Sequence, residues 1–213
     1  LVLHDHVARV SLAPLRAQQA TLRELELRLR TTHMEPHDLQ GMGDELRALP
    51  QLRRVALHVS DSKHLRLLLQ GNRGGEGAAP LPWQELSLLR LELTRDVGEL
   101  LLLHLPSLTR LSVRLDGDPL AWDWSVCTRL PQLTALRVEV EPHLEGIGDN
   151  SLWWAAERGH WTRLRELTLQ SFDLHHSEPT RLLLACPQLH ALRLLNPRLG
   201  RLRRLDFLAE APP

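Results

Sequence analysis

Apolar residues along this chain recur as Leu-x-x-Leu-x-Leu, and the polar positions between them are just as regular. The clearest copies are LPSLTRLSVRL (105–115), LPQLTALRVEV (130–140) and CPQLHALRLL (186–195). Within the copies, apolar and polar residues alternate strictly, as in Leu25-Glu-Leu27-Arg-Leu29, Val55-Ala-Leu57-His-Val59 and Leu89-Arg-Leu91-Glu-Leu93. Leu111-Ser-Val113-Arg-Leu115 and Leu136-Arg-Val138-Glu-Val140 continue the series. A period of two predicts strands with one face in a core and the other in water. Between them the period lengthens towards 3.6 and predicts short helices at Asp96–His104, Asp118–Arg129, Asp149–Arg158 and Ser177–Ala185. Each opens on Asp or Ser, whose side chains cap orphan N–H groups, and Pro119 suits a first turn. Pro50, Pro106, Pro131 and Pro187 end the helical stretches, because proline disfavours helix in the residue before it. The glycine- and proline-rich segment Gln70–Pro82 reads as a loop.

Alternating strand and helix signals predict an α/β fold with a parallel sheet. Aligned on their first leucine, the units begin at Leu22, Leu52, Leu86, Leu108, Leu133, Leu164 and Leu189, with gaps of 30, 34, 22, 25, 31 and 25 residues. Weaker half-copies stand at Val7-x-x-Val10-x-Leu12 and Leu202-x-x-Leu205-x-Phe207. A unit of this length cannot bury its own apolar face, so stacked neighbours must complete the core. The expectation is one array over 1–213, about seven full repeats with atypical ends at 1–20 and 196–213.

These residues resemble the leucine-rich-repeat superfamily, in the ribonuclease-inhibitor-like, cysteine-containing subtype found in F-box proteins. The resemblance rests on CPQLHALRLL and on GIGDNSLWWAAERGHWTRLRELTL (146–169), and covers roughly Thr21 to Leu195. It implies a right-handed solenoid, or horseshoe, with a parallel sheet on the concave face and short helices on the convex one. The Asn or Cys that follows the strand in that family is replaced by Arg30, Ser60, Thr94, Asp116, Glu141, Phe172 and Pro197. Without an asparagine ladder, irregular turns are expected.

Composition narrows the function classes. Leucine makes up 52 of 213 residues, yet no apolar run reaches the 18 residues that would suggest a membrane span. The 26 basic and 26 acidic residues cancel, so net charge gives no drive towards nucleic acid or anionic lipid. Two cysteines, Cys127 and Cys186, are too few for a disulfide framework and favour an intracellular, cytoplasmic setting. Twelve histidines include His4-Asp5-His6, His175-His176 and the pair His33 and His37, but no set has the convergent ligands of a zinc site. GNRGGEG (71–77) lacks the Gly-Lys-Ser/Thr ending of a phosphate loop, and neither a nucleophile elbow nor a zincin helix occurs. No cofactor is implied, and the expectation is a protein without enzymatic activity.

Binding surfaces are better defined. The wet strand positions form two columns: Glu26, Ala56, Arg90, Ser112, Arg137, Thr168, Arg193, and Arg28, His58, Glu92, Arg114, Glu139, Gln170, Leu195. Opposite charges on neighbouring strands are placed to pair with one another or with a partner. Trp122 and Trp154 fall off the apolar helix faces and are candidate anchors on the helix or loop side. Together these imply a protein–protein interaction module, a scaffold or subunit of a multi-subunit complex. The family resemblance adds an alternative, substrate recognition in an F-box ubiquitin ligase. Arg193, Arg198, Arg201, Arg203 and Arg204 add RNA as a further possible partner.

Overall fold

The structure is a computed structural model, and it describes residues 2–4, 15, 17, 19–28, 34–59, 61–72, 79–89, 91, 94–115, 123–140, 161–171 and 178–195. These residues contain eight strands: β1 (Val2–His4), β2 (Glu24–Arg28), β3 (Arg54–His58), β4 (Glu85–Leu89), β5 (Arg110–Leu115), β6 (Ala135–Val140), β7 (Glu166–Gln170) and β8 (Ala191–Leu195). All pair in parallel in one sheet, in the order of the chain. Helices α1 (Pro36–Arg47), α2 (Ser62–Gln70), α3 (Arg95–His104), α4 (Ser125–Arg129) and α5 (Glu178–Ala185) lie between strands. The fold is α/β with an all-parallel sheet and short helices, as the alternating periods predict.

Register comes from the apolar period. Leu27, Leu57, Leu88, Val113, Val138, Leu169 and Leu194 are successive partners across β2–β8, and all but Leu194, which is half-buried, are fully buried. A slip of one residue would turn every one of them to the opposite face. They join the inward residues of the helices, such as Leu39, Leu46, Leu65, Leu69, Leu101 and Leu182, in one continuous core.

Two backbone devices repeat with each unit. The first is a turn ahead of the strand, closed by a hydrogen bond from residue i+3 to i. Leu52 N–H donates to Leu49, Leu108 to Leu105, Leu133 to Leu130, Leu164 to Trp161 and Leu189 to Cys186, at 3.0–3.3 Å. Four of the five turns carry proline second, where its fixed φ favours the bend. The second device is a ladder at the strand entrance, where one carbonyl accepts two N–H groups of the next unit. Arg23 accepts from Arg53 and Arg54, Arg53 from Gln84 and Glu85, and Gln84 from Thr109 and Arg110; Thr109, Thr134 and Arg165 repeat the pattern, all at 2.8–3.1 Å. Each of these carbonyls thereby accepts from two main-chain donors of the next unit. The hydroxyls of Thr109 and Thr134 donate to the same carbonyls of Gln84 and Thr109, at 3.0 and 3.2 Å.

This ladder corrects the expected alignment of one unit. β4 runs from Glu85 to Leu89, so Leu86 is the second apolar position, and the first is Trp83. Trp83 is fully buried, 31 residues after Leu52 and 25 before Leu108, so the outlying gaps of 34 and 22 disappear. At the N-terminal end, β1 pairs at Val2–His4, ahead of the half-copy expected over Val7–Leu12, and Leu3 is in register with Leu27.

The helices are set by caps and by close packing. α3 starts one residue before Asp96, and its cap is Thr94, whose Oγ1 accepts from Val97 N–H at 3.4 Å. Asp61 caps α2 through His64 N–H at 2.8 Å. Of the helix expected over 118–129, the described part is helical at Ser125–Arg129; α5 matches the one expected to start at Ser177, and 149–158 lies outside the described residues. Gly43 of α1 sits against the Leu68 carbonyl of α2, and Gly98 of α3 against the Val126 side chain of α4. Neither site has room for a Cβ.

Candidate functional site

Every second residue of the strands faces away from the helices, and these side chains build three columns across the sheet. The first was not anticipated from the leucine pattern. It comprises Glu24, Arg54, Glu85, Arg110, Ala135, Glu166 and Ala191, in register from β2 to β8. Arg54 bridges its two neighbours, at 2.5 Å to Glu24 and 3.1 Å to Glu85. Arg110 approaches Glu85 at 3.8 Å and reaches across β6 to grip Glu166 with both terminal nitrogens, at 3.1 and 3.2 Å. That span of two strands works because β6 offers only a methyl group there, Ala135, which is buried. The result is an alternating chain, Glu24–Arg54–Glu85–Arg110–Glu166. Its members are one-third to two-thirds exposed, so each pair adds at most about 1 kcal/mol.

The middle column reads Glu26, Ala56, Ser87, Ser112, Arg137, Thr168 and Arg193. The small side chains of Ala56 and Ser87 floor a depression over β2–β4 of about 250 Å³, walled by Glu24, Glu26, Arg54 and Glu85. The third column carries His58, Leu89, Arg114, Glu139, Gln170 and Leu195. Arg114 binds Glu139 through Nε at 3.1 Å and Nη2 at 2.6 Å. Arg137 donates to Gln170 at 2.9 Å and lies 3.7 Å from Glu139.

The expected binding residues therefore divide. Arg114, Arg137 and Glu139 are brought into one network. Glu26 walls the depression, His58 is half-buried on β3, and Arg193 is exposed on β8. Arg28 belongs to β2 opposite His58, but its side chain lies outside the described residues. Arg90 and Glu92 do not hold the places expected of them in the columns: the register puts Ser87 and Leu89 there, and Arg90 and Glu92 fall outside the described residues, as do Trp122 and Trp154. Of the C-terminal arginines, Arg193 alone is described. The first column was legible in principle, since its residues immediately precede the inward residue that opens each strand.

Charge is unevenly shared along the strand order. Over β2–β4 the described face carries Glu24, Glu26 and Glu85 against Arg54. Over β5–β8 it carries Arg110, Arg114, Arg137 and Arg193 against Glu139 and Glu166. One half has an excess of two negative charges and the other of two positive charges. Arg28, placed on β2, lowers the first excess to one without changing its sign.

Reactive chemistry is muted elsewhere. Cys127 and Cys186 are buried, and burial pushes both thiols up to about 12, leaving them protonated and unreactive near neutrality. Among the described residues, no three His, Cys, Asp or Glu side chains converge as a metal site requires. His37 is exposed on α1, while His4-Asp5-His6, His33 and His175-His176 have no described side chains. His104, at the end of α3, is buried with neither ring nitrogen hydrogen-bonded. Its imidazole is held below the ordinary histidine range, first by burial and then by the Arg47 guanidinium. Arg47 itself donates to the carbonyls of Leu69 and, at 2.6 Å, Ala79. No described helix is long and apolar enough to cross a membrane.

No family model matches the chain, and no curated protein matches it in sequence.

Proposed function

We propose that this chain is a leucine-rich-repeat solenoid whose strand face is concave, and that it works as a non-catalytic protein-binding module within a larger intracellular assembly. The observation that carries the reading is the open sheet face itself. Its backbone is fully paired from strand to strand, its floor is small, and charged side chains line it in register. A parallel array of short strands gives a broad, rigid surface, and such surfaces recognise folded proteins or extended segments by complementarity. The repeated turn and the two-to-one carbonyl ladder support the solenoid, because the same local geometry returns with each unit. Arginine recurs on the face, and its planar fork suits bidentate contact with a partner's carboxylates.

The test is affinity purification of the full-length protein from cells, followed by mass spectrometry, beside two steric plugs, Ala56→Trp and Ser112→Trp. Both residues are partly exposed on the face. The expected result is loss of the same partners from both plugs with melting unchanged. Partners kept by both plugs but lost when the exposed Leu103 and Leu184 of the helical side are changed to Glu would overturn the reading.

A further inference from the structure

The opposed charges of the two halves of the face constrain what fits it. We infer that the face takes an extended protein segment crossing the strands, with a Lys or Arg in the depression over β3–β4 and an Asp or Glu between Arg137 and Arg193. This rests on the sheet-face reading above and gives the partner its chemistry.

At the first point, Ala56 and Ser87 leave room for a long side chain, and among the described residues lining it Glu24, Glu26 and Glu85 outnumber Arg54, an excess that stays negative when the charge of Arg28 is added. A partner's ammonium or guanidinium gains from that surplus, whereas a phosphate or carboxylate would be repelled. At the second point, Arg137 and Arg193 flank Thr168 in consecutive register positions. Arg137 is exposed, donates to the neutral amide of Gln170 and lies 3.7 Å from Glu139, whose carboxylate is already held by Arg114, and Arg193 is exposed. Two arginines on either side of one short polar residue present two guanidinium groups to a single carboxylate. From β3 to β7 is four strand spacings, roughly 19 Å at about 4.8 Å each, the length of about five or six extended residues. The partner's two opposite charges are therefore separated by that interval. A nucleic acid backbone, with one sign of charge throughout, would be repelled along β2–β4.

A random peptide library displayed on phage and panned against the immobilised full chain tests this. The expected outcome is enrichment of peptides with a basic and an acidic residue five or six apart. A synthetic peptide from that set should bind about tenfold more tightly than versions in which either charged residue is replaced by Gln, the effect of one or two partly exposed ion pairs. Arg137→Glu with Arg193→Glu should shift enrichment to sequences that are basic at both points. Arg193→Glu alone, at an exposed position, should act in the same direction if the double variant unfolds. Peptides excluded by the Ser112→Trp plug but carrying charges of one sign, or none, would overturn the bipolar segment and leave the sheet-face reading standing. Peptides that ignore the plug, or no enrichment at all, would overturn both.

Discussion

Trp83 occupies a position that is leucine in the flanking units, and substituting it separates ring size from hydrogen bonding. The side chain is fully buried, and its indole N–H has no hydrogen-bond partner. Truncation in Trp83→Ala removes a large buried ring and leaves a cavity, a change that costs about 3–5 kcal/mol. In Trp83→Phe two effects oppose each other. The smaller ring loses roughly 1 kcal/mol of packing. Removing a buried N–H without a partner returns about 1–3 kcal/mol of desolvation. The phenylalanine variant is therefore expected to equal the parent or exceed it by up to about 2 kcal/mol. Urea unfolding followed by far-ultraviolet circular dichroism measures both, provided the m-value is unchanged and the array unfolds as one unit. In melting temperature, a chain of this length moves about 2–4 °C per kcal/mol. The alanine variant should thus fall by on the order of 10 °C while the phenylalanine variant melts at or above the parent's temperature. Equal losses in the two variants would refute the reasoning, since the indole N–H would then be contributing a bond.

Three further outcomes follow from the packing and charge described above. Gly43→Ala gains about 1 kcal/mol of helix propensity but drives a Cβ into the Leu68 carbonyl and to 3.1 Å from Gly71 Cα. Overpacking of that kind costs about 1–3 kcal/mol, so calorimetry should show a lower melting temperature. His104 takes up its proton at lower pH in the folded chain than in the unfolded one, so the stability it contributes is present above about pH 6.5 and is lost as pH falls below that value. The urea midpoint should drop between pH 7.5 and 5.5, and His104→Gln should flatten the drop. A double-mutant cycle on Arg110→Met and Glu166→Gln should give a coupling of about 0.5–1 kcal/mol that shrinks in 1 M salt; a coupling that survives salt would mean the pair is shielded from solvent.

Much of the sheet is legible in the sequence, because a buried face requires apolar residues at every second position and the copies supply them. Leucine spacing alone misplaces one unit, since the position before Gln84 demands a large apolar side chain and tryptophan meets the demand as well as leucine. α1 gives little local signal. Gly41 and Gly43 lie in its interior, and its first turn has no side-chain cap, so it is held by packing on α2. α2 is likewise absent from the helices that the apolar period predicts, although Asp61 as a cap and the spacing of Leu65, Leu68 and Leu69 carry its signal. The ion-pair chain is the least legible feature. Arg110 and Glu166 are 56 residues apart in sequence, and their contact depends on the exact register of three strands and on the methyl group between them.

The ladder of shared carbonyls bears on how such a chain tolerates change. Its donors and acceptors belong to the main chain, so any residue except proline can stand at Arg53, Arg54, Gln84, Glu85 or Arg110 without deleting a rung. Units of 25, 30 and 31 residues all enter the sheet through the same hydrogen bonds, and their difference in length is absorbed on the way there. The frame is thereby uncoupled from the lettering it displays. A lineage can rewrite the exposed columns one strand at a time, or lengthen a connection, while the pitch from strand to strand is inherited unchanged.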